Sequence, residues 1–227
     1  MKANRNLLVI IQSLIPIQIF LRYCFVIELT FLYSWWSNSN LKIYADSKNI
    51  EHLRQEYAIC LLNHRYEIDW LITLVYANKL CLLGGIEIVG KHSLSLIPVL
   101  DWSWFFMELI FYVIFMTCNG TRYTETKRLE SMKYTRDKNL SELKYHILRR
   151  IKGLTLIMQG TQGKILAVYN FMLDFSKDDT SPTLRTLLNG HSCKAHLQTL
   201  ISEIPYQNEG KYAQWVHKLF QEKIVLA

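Results

Sequence analysis

The segment Asn63-His64-Arg65-Tyr66-Glu67-Ile68-Asp69 sets an imidazole and a carboxylate five residues apart, directly after the apolar run Ala58 to Leu62. Histidine is the side chain best suited to take a proton near neutral pH. A carboxylate on its second ring nitrogen would fix the tautomer and stabilise the imidazolium. Neighbours on a continuous helix lie three or four apart, so a spacing of five brings the two groups together only if His64 sits in the turn before a helix that starts near Glu67. The implied local context is strand, polar turn, helix. The same residues also suit a plain strand-to-helix connection, with an exposed histidine and an acidic first-turn residue favoured by the helix dipole.

A second group of chemistry-bearing residues is Asn119-Gly120-Thr121-Arg122. A glycine turn exposes backbone N–H groups, Thr121 adds a hydroxyl, and Arg122 can grip phosphate oxygens bidentately. NGT is equally a plain hairpin turn and, in a lumenal chain, a glycosylation sequon. With Lys91 lying between the two groups in sequence, the set suggests proton abstraction beside a bound phosphate. The charge distribution agrees: the net +7 of the 227-residue chain falls entirely in residues 119–164, where eleven Lys and Arg face four Asp and Glu. Such a block attracts phosphate on anionic lipid or a phosphorylated ligand. It contains no recognised nucleic-acid-binding module, so nucleic acid is not expected as a partner.

Elements able to hold these groups follow from the hydrophobic pattern. Ala58 to Leu62 reads as a buried strand and Trp70 to Leu80 as a helix, with Gly84-Gly85 as a break before a short strand, Ile86 to Val89. The apolar run Trp102 to Cys118 fits either a second membrane-associated helix or a buried helix (Trp102 to Leu109) followed by a core strand (Ile110 to Cys118), and the β-branched and aromatic content of its second half favours the latter. Leu140 to Arg150 is helix-like, Ile165 to Phe175 is a strand, His191 to Glu203 a strand with its turn, and Gly210 to Leu226 an amphipathic helix. Residues 37 to 56 read as a linker or edge strand. Alternating strands and helices predict an α/β domain over residues 37–227, a mixed sheet flanked by helices.

Half the residues are apolar while 20% are charged, and residues 7 to 36 hold much of the excess. Three readings fit that stretch: a cleaved signal peptide, one long tilted span, or a hairpin turning near Arg22 with Trp35 and Trp36 at a membrane interface. No small-residue cleavage site follows promptly. The expectation is therefore an N-terminal membrane-embedded helix or hairpin over residues 1–36. The cysteines, Cys24, Cys60, Cys81, Cys118 and Cys193, are odd in number and form no CxxC pair, so neither a disulfide framework nor a zinc site is indicated.

NHRYEID resembles the NHxxxxD block of the glycerolipid acyltransferases, and GTRYTETK at 120 to 127 resembles their EGTRFTETK block. In order along the chain, residues 82–111, 143–154, 165–175 and 214–223 are similar to the gamma, delta and epsilon-like branch of the 1-acylglycerol-3-phosphate acyltransferases. The resemblance implies an acyltransferase-like α/β fold, a place in the endoplasmic reticulum membrane among membrane lipids, and transfer of a fatty acyl group from acyl-CoA to the free hydroxyl of a lysophospholipid such as lysophosphatidic acid. By it, His64 is the base and Asp69 its orienting acid. Asn119, Gly120, Thr121 and Arg122 hold the acceptor phosphate with Lys91, and acyl-CoA is a co-substrate rather than a resident cofactor.

The chain departs from that pattern in several places. Asn119 stands where the family carries Glu, Arg149 where it has Pro, His92-Ser93 where it has Lys-Glu, and Asn170 where it has Asp. A block with a further arginine is missing between 111 and 119. A deletion inside an α/β domain predicts lost core area and unpaired strand edges. Two functional readings follow: a lysophosphatidic acid acyltransferase, or a weak or inactive membrane protein that binds lysophospholipid or acyl-CoA.

Overall fold

The computed structural model describes residues 20, 23–24, 26–89, 113–117, 124–137, 151–161, 164–165, 167–176, 181–204, 214–216 and 218–219. Within them, β1 (Asn40–Tyr44), β2 (Ala58–Leu62), β3 (Ile86–Val89), β4 (Val113–Thr117), β5 (Ala167–Phe175) and β6 (Lys194–Glu203) build one sheet in the order β1-β6-β5-β2-β4-β3. β5 and β6 run antiparallel and every other neighbouring pair is parallel. The predicted mixed α/β sheet is therefore present.

Strands buried on both faces read as continuous apolar runs, and β2 shows why. All five of its side chains are buried, yet they divide by alternation: Ala58, Cys60 and Leu62 join one core, Ile59 and Leu61 the other. β4 divides in the same way, with Val113 and Phe115 on the first face and Ile114 and Met116 on the second. The first core is completed by α1 (residues 26–31), α2 (Ser47–Gln55), α3 (Asp69–Lys79) and α6 (Leu184–Leu188), which contribute among others Val26, Leu53, Leu71, Val75 and Leu187. The second is covered by α5 (Ile151–Gly160), through Leu154 and Met158, and by Val216 and Leu219 near the C-terminus. α4 (Glu125–Asp137) follows β4 in the chain.

The N-terminal expectation needs correction. Among the described residues no helix is long and apolar enough to cross a membrane. The described part of the apolar lead, α1 and the π-helical turn Leu32–Trp36, instead packs on the domain. Tyr33 is fully buried, and its hydroxyl donates to the carbonyls of Asn40 (2.9 Å) and Cys193 (3.3 Å). Asn78 on α3 donates to the Thr30 hydroxyl at 3.1 Å, and the Trp36 indole donates to the Leu188 carbonyl at 3.0 Å. An apolar run satisfies a protein core as readily as it satisfies lipid, and hydropathy alone does not separate the two. Here one stripe of the run forms part of the first core layer.

The predicted loose edges are also absent at β4. Val113 to Thr117 pair with Ala58 to Leu62 on one side, and Val113 to Met116 pair with Ile86 to Val89 on the other. The short connection still delivers a central strand, bonded on both flanks. Residues 37 to 56, read as linker or edge strand, hold the edge strand β1 and the helix α2, whose first turn is capped by Asp46 accepting from the Lys48 N–H at 3.0 Å. The helices expected over Trp102 to Leu109 and Leu140 to Arg150 lie outside the described residues.

Candidate active site

β2 ends at Leu62, level with Phe171 of β5 and Thr117 of β4. The next residue, Asn63, continues the pairing with its side chain. Its amide nitrogen donates to the Leu173 carbonyl at 2.8 Å, and its amide oxygen accepts from the Leu173 N–H at 2.7 Å. A primary amide presents an N–H donor and a carbonyl acceptor side by side on one edge, so Asn63 satisfies both main-chain groups of a β5 residue that β2 no longer reaches. The chain is thereby free to turn away from the sheet while staying fixed to it.

The turn runs through His64 to Ile68, and α3 begins at Asp69. Asp69 folds back over that turn. One of its carboxylate oxygens, Oδ2, accepts from the N–H of Arg65 (2.7 Å), the N–H of Tyr66 (2.9 Å) and Nδ1 of His64 (3.0 Å). The two groups meet across the five-residue spacing because His64 lies in the turn and Asp69 opens the helix, two residues later than the start expected near Glu67. Two backbone amides and the helix N-terminus all favour negative charge at this position.

Burial divides the pair unequally. The Asp69 side chain is 1% exposed and that of His64 24%. Burial raises the Asp69 carboxyl above its ordinary value, and the bonds from His64, Tyr66 and Arg65 oppose that rise. Because the carboxylate accepts, the bonding pattern assigns the His64 proton to Nδ1. Nε2 then carries the lone pair, on a side chain that is partly exposed. Such an imidazole can take a proton from a hydroxyl, and the imidazolium formed is stabilised by a carboxylate held rigidly behind it.

His64 sits beyond the carboxyl ends of parallel strands. From β2 the chain leaves across the first face through α3 towards β3, whereas α5, between β4 and β5, covers the second face. Where connections diverge to opposite faces, open α/β sheets form their ligand crevices. β3 and β4 are parallel to β2 and finish at this same end, at Val89 and Thr117. Lys91, Asn119, Gly120, Thr121 and Arg122 lie outside the described residues, so the structure brings together His64 and Asp69 from the predicted set. Sequence reading gave no role to Asn63, although a lone amide directly after an all-apolar strand is a strand-end signal. Nor did it single out Asp174, the one carboxylate in the strand Ala167–Phe175.

No family model matches the chain. Among curated proteins, 1-acyl-sn-glycerol-3-phosphate acyltransferase delta of Mus musculus is 34% identical over 230 residues, covering 88% of this chain and 60% of the relative. The gamma protein of the same species is 32% identical over 234 residues, covering 91% and 62%. The delta protein of Homo sapiens is 32% identical over 232 residues, covering 89% and 61%. The chain thus spans about six tenths of the length of these relatives.

Proposed function

We propose, since this chain belongs by sequence with the delta and gamma 1-acyl-sn-glycerol-3-phosphate acyltransferases, that it acylates lysophosphatidic acid to phosphatidic acid with acyl-CoA as donor. The observation that carries the reading is the His64 Nδ1 to Asp69 Oδ2 bond of 3.0 Å at the carboxyl end of the sheet. His64 Nε2 takes the proton of the free glycerol hydroxyl while Asp69 steadies the charge that develops on the ring. The alkoxide attacks the thioester carbonyl, the C–S bond of the tetrahedral intermediate breaks, and the coenzyme A thiolate leaves with the proton returned from His64. The ester forms in one displacement, without an acyl-enzyme.

Arg122, with Asn119, Gly120 and Thr121, is assigned to the acceptor phosphate, and Lys91 to an additional contact with it. The basic block of residues 119–164 supports that assignment, because a phosphate needs lasting positive charge nearby. The proposed setting is the endoplasmic reticulum membrane, since both substrates carry acyl chains that partition into lipid. The test is transfer of labelled acyl groups from acyl-CoA to lysophosphatidic acid in membranes carrying the full chain. His64→Ala should lower turnover by roughly 10² to 10⁴, and equal rates for the two proteins would sink the reading. Saturable lysophospholipid binding without turnover would instead favour the non-catalytic alternative raised by Asn119 and the short connection before it.

A further inference from the structure

The loop that carries His64 is tied to two consecutive residues of β5. Asn63 occupies the main-chain groups of Leu173. At the next residue, one carboxylate oxygen of Asp174 accepts from the Tyr66 hydroxyl at 2.9 Å and from the Phe175 N–H at 3.0 Å, and Arg65 Nη1 lies 3.7 Å from the same oxygen. The Tyr66 ring meets the Phe175 ring edge-on with centroids 4.8 Å apart, and the Arg65 guanidinium stands 5.5 Å from the Tyr66 centroid. The side chains of Asn63, Arg65 and Tyr66 reach β5, while that of His64 bonds to Asp69.

These contacts are unequal. Arg65 and Asp174 are each more than half exposed, so their ion pair at 3.7 Å contributes little. The hydroxyl-to-carboxylate bond is charge-assisted and shorter, and its donor ring is half-buried against Phe175. Burial, and then the bond to Asp174, push the Tyr66 hydroxyl up to about 12, which keeps its proton in place for donation through the neutral range. Tyr66 matters for the dyad because its own N–H is one of the two backbone donors to Asp69. A displaced Tyr66 displaces the carboxylate's hydrogen-bonding shell, and with it the orientation of the imidazole.

We propose that Asp174 is a positioning residue for the acyl-transfer site. Through Tyr66 it fixes the backbone that holds Asp69, so that His64 is aimed from β5 as well as from α3. This rests on the reading of His64 as the base. It adds a residue that neither the spacing in the His64 segment nor the resemblance assigns.

The experiment compares Asp174→Ala, Tyr66→Phe and Asp174→Asn with the unaltered full chain, in membranes. Acyl transfer to lysophosphatidic acid gives kcat and KM separately. Hydrogen exchange followed by mass spectrometry over residues 64–69 reports the Arg65 and Tyr66 amides without needing turnover. Asp174→Ala and Tyr66→Phe should lower kcat roughly tenfold to a hundredfold, with KM changed by no more than about twofold, and should speed exchange over the loop. Asp174→Asn keeps an oxygen acceptor for Tyr66 and should recover most of both. Unchanged exchange and unchanged kcat in Asp174→Ala overturn the proposal, as does a loss of thermal stability with kcat intact. If the unaltered chain transfers no acyl group, the functional reading falls, while the exchange arm still decides whether Asp174 holds the loop.

Discussion

The His64–Asp69 pair derives its chemistry from unequal burial. Asp69 is almost sealed, and one carboxylate oxygen, Oδ2, carries three hydrogen bonds while Oδ1 has no partner among the described residues. Because burial raises the Asp69 carboxyl, the folded protein binds its proton more readily than the unfolded chain does. Stability from this group is therefore full below the ordinary value of 3.8 and is lost as pH rises through the higher folded value. Urea unfolding at a series of pH values should show the stability of the unaltered protein, relative to Asp69→Asn, falling across that window. A flat difference would contradict the assignment. On the proposed mechanism, Asp69→Asn loses most of its kcat in transfer assays, because an amide cannot stabilise the imidazolium and can enforce the wrong tautomer. The pair was legible in the sequence because its spacing is local. Asn63 and Asp174 were not, because their partners lie across a strand pairing 110 and 108 residues distant.

At the scale of elements, two asparagines join segments that no periodicity connects. Asn63 extends the β2–β5 pairing beyond the last strand residue. Asn170, buried in the middle of β5, donates to the Leu219 carbonyl at 2.9 Å and so fastens the C-terminal helical residues to the second face of the sheet. The resemblance expects Asp at this position, and the structure explains why Asn suits this chain: an ionised carboxylate would face a carbonyl oxygen with no proton to offer. Asn170→Asp should destabilise the protein by about 1–3 kcal/mol at neutral pH, with a smaller loss at acidic pH where the carboxyl can donate. Chemical denaturation at the two pH values measures this. The strands β2 and β4 were readable as short apolar runs, and β5 by its Val, Tyr and Phe content despite Asn170 and Asp174. β1, with Asn40 and Lys42 exposed on one side, offers only Leu41 and Ile43 to a core and was read as linker or edge.

For the whole molecule, the antiparallel pairing of β5 with β6, and the insertion of β6 between β5 and β1, could not be read from the sequence, since strand order is decided by which apolar faces meet in three dimensions. The apolar lead was misread for a related reason: a stripe that fits lipid also fits the first core. Tyr33 is its deepest anchor, and Tyr33→Phe should cost about 0.5–1.5 kcal/mol in thermal or urea unfolding, because the carbonyls of Asn40 and Cys193 lose a shared donor. No change would mean that the lead contributes apolar contact alone. The Asn63 clip has a consequence in time. A ribosome delivers β2, His64 and Asp69 more than a hundred residues before Leu173, an interval on the order of ten seconds at ordinary rates of synthesis. During it the nascent chain holds His64 and Asp69 without the strand that seats them, so the pair is seated late in translation, when β5 docks against β2.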